Sequence, residues 1–325
     1  MHSAMFTSAP DDAYMMQEPD VVAPDLDSRT EEDEWLWASF RYHSRTFSMA
    51  ARLLPSRVQL PVAALYLFCR HVDSIADHRV LEVGPKAALD EVHATWDALD
   101  ATLAGHPPDA LLWRRLHEVH NRFGLHRTPL YELLEGAIWD LEDRPIRTLD
   151  DLVDYSNLVG GSVGAMMLPF LADANAYSQL EGAAREMGIA MQITNIVRDV
   201  GEDLRHLDRV YLPLNWFEAY GITPEALTKR DIVPEAYSQL LEDAMAAAEA
   251  RYISSMATIG ALPWSVRTGI RAAARMYREI MNEVRALGYD NIRHRAYVST
   301  PRKLWCVCAD TYSRRKARLQ QNGNA

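Results

Sequence analysis

Two acidic segments carry the residues whose spacing points most directly to chemistry. Asp73 and Asp77 sit in Arg70-His71-Val72-Asp73-Ser74-Ile75-Ala76-Asp77, and Asn195, Asp199 and Asp203 lie within the run from Gln192 to Asp203. Residues four apart share one face of a helix, so each segment aims its oxygens in one direction. Like charges at that spacing destabilise a bare helix mildly. Gathered in one pocket at an effective dielectric of about 20, each close pair costs roughly 4 kcal/mol. Divalent cations offset such repulsion. An all-oxygen donor set suits a hard ion such as Mg²⁺, which is usually held by a few carboxylates together with substrate phosphates.

The plainer readings differ in strength. Asp73 and Asp77 alone are compatible with a solvated helix face. The apolar run Ala63-Ala64-Leu65-Tyr66-Leu67-Phe68-Cys69 before them indicates instead a helix buried most of the way round, where carboxylates need partners or a metal. Packing alone gives no reason for the stripe Asn195, Asp199, Asp203, bordered by Gln192 and Arg198. Glu202 is expected to point elsewhere, as a surface charge. Arg70, three residues before Asp73, can pair with it or reach a phosphate. In His43-Ser44-Arg45-Thr46-Phe47, the imidazole, hydroxyls and guanidinium suit either an ordinary helix end or a phosphate. Tyr155 to Gly164, with Gly160 and Gly161 inside it, reads as small-residue packing or as a wall that makes room for a long apolar ligand.

Helical periodicity dominates the elements that must position these groups. It predicts helices over 58–78, 87–103, 110–123, 129–143, 150–171, 179–205, 234–259, 263–287 and 301–318, with Pro85, Pro129, Pro234, Pro263 and Pro301 near starts, where a missing N–H costs little. Hairpin signals and tandem repeats are absent. Glycines 160, 161 and 164 interrupt one predicted helix at roughly 1 kcal/mol each, so the backbone kinks there or something approaches closely. The chain has 325 residues, 48% of them hydrophobic, and a net charge of −11. Ten acidic residues and one basic residue fall in residues 1–34, which reads as a disordered leader. Residues 35–312 read as one domain and 313–325 as a basic tail. Cys69, Cys306 and Cys308 form no disulfide framework or zinc pattern. No glycine-rich nucleotide loop, membrane span or basic aromatic stripe for nucleic acid is visible.

The run from Gln192 to Asp203, followed by Arg209-Val210-Tyr211-Leu212-Pro213, resembles the squalene/phytoene synthase family, in its bacterial phytoene-forming branch. The resemblance covers roughly residues 40–312; Tyr155, the Gly160–Gly164 wall, Tyr277, Arg295, Arg302 and Lys303 support it. It implies an all-α, single-domain isoprenoid-synthase bundle around a central cavity, with the acidic helices facing each other. It implies head-to-head condensation of two geranylgeranyl diphosphates, through a cyclopropyl diphosphate, to phytoene, the first committed step of carotenoid biosynthesis. By that resemblance Asp73, Asp77, Asn195, Asp199 and Asp203 hold Mg²⁺ (or Mn²⁺), and Asp73, Asp77, Asp199, Asp203, Arg70 and Tyr155 are catalytic. His43, Ser44, Arg45, Phe47, Arg70, Val159, Gly160, Gly164, Gln192, Arg198, Tyr211, Tyr277 and Arg295 bind substrate. Two departures stand out: the first motif lacks an extra acid found in many relatives, and VGG replaces the common VAG, which is expected to widen the pocket. The alternatives are a C30 squalene or dehydrosqualene synthase using farnesyl diphosphate, with NADPH only for squalene, and a non-catalytic binding subunit. A cytoplasmic protein touching a membrane peripherally, and passing product to downstream carotenoid enzymes, is the expected setting; nucleic acid is not expected as a partner.

Overall fold

The computed structural model describes residues 28–228 and 235–307, and among them the regular structure is entirely helical. Helices α1 (Arg29–His43) and α2 (Arg45–Ala51) lead into α3 (Ser56–Ser74), which passes through a π-turn (Ile75–Arg79) into α4 (Val80–Val83). Then come α5 (Pro85–Leu103), α6 (Leu111–Phe123) and α7 (Arg127–Leu141). Helix α8 (Leu149–Ser156) runs through a second π-turn (Asn157–Gly161) into α9 (Ser162–Leu171), so the predicted helix over 150–171 is widened at its glycines. Next are α10 (Tyr177–His206), the short α11 (Leu214–Ala219) and α12 (Pro224–Thr228), then α13 (Glu235–Ala257) and α14 (Trp264–Ala286). Residues 300–307 are helical again.

Helix α10 is the spine, packing on α9, α13, α14 and the second π-turn. On one side an apolar cluster with Phe40, Phe68, Leu99, Leu116 and Leu134 joins α1, α3, α5, α6 and α7. On the other, Ile193, Val197, Tyr237, Leu241 and Tyr252 join α10 to α13. A third, small cluster of Ala50, Ala272, Ala273, Met276 and Cys306 seats α2, α14 and the 300–307 segment on one another.

The N-terminal boundary differs from the sequence reading. Residues 29–34, assigned to the leader on their acidity, are the first turns of α1, started by a capping box between Ser28 and Glu31. Two of their acids, Glu32 and Asp33, are paired across the fold. Arg115 of α6, 4% exposed, reaches Glu32 at 2.9 Å and Asp33 at 2.6 Å. Arg114 reaches Glu32 at 3.0 Å, and Arg29 meets Glu118 at 2.5 Å. No local pattern reveals such partners. Residues 1–27 and the basic tail at 313–325 lie outside the described residues, as does the predicted last helix beyond residue 307.

Candidate active site

A cavity of about 260 Å³ lies beside α10. Its walls come from α2 and α3 (Phe47, Leu65, Tyr66), from the second π-turn and α9 (Val159, Gly160, Val163, Gly164) and from α10 (Met187, Met191). The turn between α13 and α14 adds Ile259 and Leu262. Ser44, Gln192, Asn195 and Tyr277 also line it, and among the described residues Asp73 is its one charged lining side chain. Such a mostly apolar space with a few polar groups suits a long hydrocarbon carrying one polar end.

The second π-turn and α9 lie against α10 backbone to backbone. A Cβ built on Gly188 would come within 2.0 Å of the Gly160 carbonyl oxygen, and one on Gly164 within 2.1 Å of the Ala184 carbonyl oxygen. Of the two sequence alternatives for this stretch, the close approach is the one observed, and it comes with a π-turn at Asn157–Gly161. The VGG departure has a different consequence from the one expected. A Cβ on Gly160 would meet the Gly188 carbonyl oxygen at 2.5 Å and Gln192 Cβ at 2.8 Å. The missing methyl thus draws the π-turn onto α10; it does not simply enlarge the lumen.

The acidic residues converge around a second, polar region next to the cavity. Asp73 is open to the lumen, yet the surrounding walls remove it from bulk water. That desolvation, reinforced by Asp77, pushes its carboxyl up to about 7. Asp77, on the first π-turn, does not line the cavity; it turns toward Arg209, with Nη1 3.7 Å from its carboxylate. Burial raises it, and Arg209 opposes that rise. From the other acidic helix, Asp203 is pushed up to about 8 by burial and then by Asp199, Asp77 and Glu202. The two segments are thus within electrostatic reach of each other, as the family resemblance implied. Asp199 is held by two guanidiniums: Arg198 Nε donates to it at 2.7 Å and Arg295 Nε lies 2.9 Å away. Glu202, expected to point elsewhere, lies 3.1 Å from Arg295 and shares this cluster.

One residue of the cluster escaped the sequence reading. Asp140 of α7 accepts a hydrogen bond from Tyr155 Oη at 2.9 Å and another from Tyr211 Oη at 2.9 Å. The two rings stack with centroids 5.0 Å apart. Arg209 ties this knot to the first π-turn, donating to the Asp140 carbonyl at 3.1 Å and the Ala76 carbonyl at 3.4 Å. Burial raises Asp140 to about 7 against the opposing pull of Arg209. The signal was available: Asp140 falls on the stripe of Leu133 and Ala137, both buried, so it is an acid on an apolar face.

Among the proposed substrate contacts, Ser44, Phe47, Val159, Gly160, Gly164, Gln192 and Tyr277 do line the cavity. Ser44 also caps α2, accepting from the Phe47 amide at 3.3 Å. Tyr155 and Tyr211 are not lining residues; their hydroxyls are committed to Asp140. His43, Arg45, Arg70, Arg198 and Arg295 lie off the cavity wall, Arg70 with Nη2 2.9 Å from His78 Nε2.

Among the described residues, no group of three or more His, Cys, Asp or Glu side chains forms a ready-made cation cage. The donor chemistry nevertheless fits Mg²⁺. Asn195 Oδ1 is buried without a hydrogen-bond partner, and Asp73 and Asp203 are crowded carboxylates that positive charge would relieve. Mg²⁺ commonly takes one or two carboxylates and completes its shell with water and phosphate oxygens, so a three-acid cage is not required.

Comparison with known proteins agrees with this architecture. Residues 40–302 match the family model described as squalene/phytoene synthase. A phytoene synthase of Rhodobacter capsulatus is 37% identical over 274 residues, covering 84% of this chain and 79% of that protein. The 15-cis-phytoene synthase of a Paracoccus species is 32% identical, covering 86% and 91%. A crystal structure of a dehydrosqualene synthase in complex with ligand superposes with a TM-score of 0.78 at 28% identity, covering 89% of this chain and 98% of that one. With the family model spanning most of its length and its acidic helices facing each other beside an apolar cavity, the chain belongs to the squalene/phytoene synthase family.

Proposed function

We propose that this chain is a prenyltransferase that condenses two geranylgeranyl diphosphates head to head into phytoene, releasing two diphosphates and two protons. The observation that carries the reading is an apolar cavity with Asp73 on its wall, flanked by Asn195 and the carboxylates of the facing helix. The C20 substrate is favoured because relatives at 32–37% identity are phytoene synthases.

Asp73, Asp77, Asn195, Asp199 and Asp203 are the residues that would hold Mg²⁺. When bound, the ion neutralises diphosphate and acts as a Lewis acid on the leaving oxygen. Arg198 and Arg295 supply charge-assisted hydrogen bonds on the same side. Loss of the first diphosphate leaves an allylic cation. The apolar walls keep water from it, and the faces of Phe47, Tyr66 and Tyr277 stabilise positive charge. The double bond of the second chain attacks C1 of that cation, and loss of a proton from C1 closes the ring of a cyclopropylcarbinyl diphosphate. A second ionisation, rearrangement and loss of a proton give the conjugated triene. Asp140 and Arg209 orient Tyr155, Tyr211 and the turn carrying Asp77. The hydrocarbon product calls for peripheral membrane contact, as no helix among the described residues is long and apolar enough to cross a membrane.

Purified protein incubated with Mg²⁺ and geranylgeranyl or farnesyl diphosphate, with and without NADPH, tests the reading by mass spectrometry of the extract. A C40 triene from the first substrate without reductant is expected. A C30 product would shift the assignment to the second reading, which the dehydrosqualene synthase neighbour supports. No hydrocarbon from either substrate would refute catalysis.

The raised carboxyls make a second prediction. Asp73, Asp140 and Asp203 keep protons in the folded protein at pH values where the unfolded chain has lost them. The folded state therefore binds more protons between about pH 4 and 8, and stability falls as pH rises through that window. The Tm of metal-free protein should drop from about pH 5.5 to 8.5, and Mg²⁺ with inorganic diphosphate should raise it most at the alkaline end. A metal-free Tm that climbs with pH would contradict this account.

A further inference from the structure

Residues 35–72, 250–278 and 291–307 contain no aspartate or glutamate, in a chain with 45 of them and a net charge of −11. Folding brings these three segments together. The small cluster of Ala50, Ala272, Ala273, Met276 and Cys306 packs α2, α14 and residues 300–307 on one another, and Leu53 and Val307 rest against it. Leu54 of the α2–α3 turn lies where a Cβ on Gly269 of α14 would meet it.

The outer surface of this assembly is basic and apolar. Arg41, Arg52 and Arg57 are exposed. Arg251, Arg278 and Arg302 are offset by Glu186, Glu249 and Glu279, which lie outside the acid-free segments. The same packed segments hold large apolar side chains in water: Leu304 at 53% exposure, Trp305 at 55% and, at the start of α14, Trp264 at 63%. The Arg302 guanidinium lies 4.6 Å from the Trp305 ring centroid. Exposed tryptophan and leucine beside arginine is the composition that settles at the headgroup level of a bilayer. A nucleic-acid surface would have no use for exposed leucine.

We infer that the face formed by α2, the N-terminal half of α14 and residues 300–307 docks on an anionic lipid bilayer. It deepens the membrane contact proposed above and rests on that reading only for the apolar nature of the product. The local charge matters because the whole chain is acidic: fields beyond about 8–10 Å are screened at physiological salt, so a basic face meets anionic headgroups without the rest of the protein opposing it.

Co-sedimentation of the full chain with vesicles tests the inference. Vesicles of phosphatidylcholine with about 30% phosphatidylglycerol should carry the protein down, and pure phosphatidylcholine vesicles should not. Salt at about 0.5 M should release most of it. The double variant R52E/R57E should weaken partitioning at least about tenfold. L304S/W305S, which alters only exposed side chains, should weaken it without a change in salt dependence. K86E/R122E makes the same charge change at exposed positions outside the acid-free segments and should stay within about twofold of the parent. Equal loss in K86E/R122E, full binding by R52E/R57E, or binding to double-stranded DNA in place of vesicles would overturn the assignment. Hydrocarbon formation in detergent without any vesicle binding would overturn it too while leaving the reaction intact.

Discussion

Asp73→Asn and Asp199→Asn should each cut turnover by about 10³-fold, the scale of losing one preorganised electrostatic contact at a developing charge, while shifting stability in opposite directions. Asp73 sits on the cavity wall with a carboxyl raised to about 7, so an amide there relieves a desolvated, repelled charge and should leave Tm unchanged or higher. Asp199 is the shared partner of Arg198 and Arg295. Neutralising it strands a guanidinium that is 20% exposed in the side chain. Stripping one partner from a buried pair costs about 3 kcal/mol or more, and the partial exposure here lowers that to about 2 kcal/mol. Steady-state rates and thermal melts of the two variants, side by side, check both halves. Near-parental turnover in either would remove that residue from the proposed site, and equal melting temperatures would contradict the pairing of Asp199.

Gly188→Val should be the most damaging substitution in the helical scaffold. Its Cβ alone would lie 2.0 Å from the Gly160 carbonyl oxygen and 2.9 Å from Gly161 Cα. These are backbone atoms, so relief requires α10 to part from the second π-turn, and the cavity wall moves with it. Overpacking typically costs about 1–3 kcal/mol, and a clash with the backbone of two successive residues belongs at or beyond the upper end. The expected result is a Tm lower by roughly 6 °C or more, with loss of soluble yield. Gly182→Ala on the same helix is the control. Nothing lies within 4 Å of a Cβ there, so the gain in helix propensity should stabilise the protein by up to about 1 kcal/mol. A Gly188→Val protein that melts with the parent would show that the approach of these two segments is looser than described.

The sequence by itself determined the all-helical class, most helix boundaries and the two acidic stripes. Each of these follows from local periodicity: a 3.6-residue repeat reports which face is buried whatever lies opposite it. It also marked Gly160, Gly161 and Gly164 as places where the backbone kinks or a neighbour approaches closely, because glycine inside a helix has a local cost that needs a reason. Only the tertiary structure decided what each polar group faces. Asp140 became the acceptor for Tyr155 and Tyr211, taking both tyrosines off the cavity wall. Glu202 joined the Arg295 cluster. The acids of residues 29–34 turned out to belong to helix α1, where Glu32 and Asp33 meet Arg114 and Arg115 of α6. The basic face exists only because α2, α14 and residues 300–307 pack together. Pairing of this kind depends on where distant segments meet, and charge along the chain records how many partners are needed without naming them.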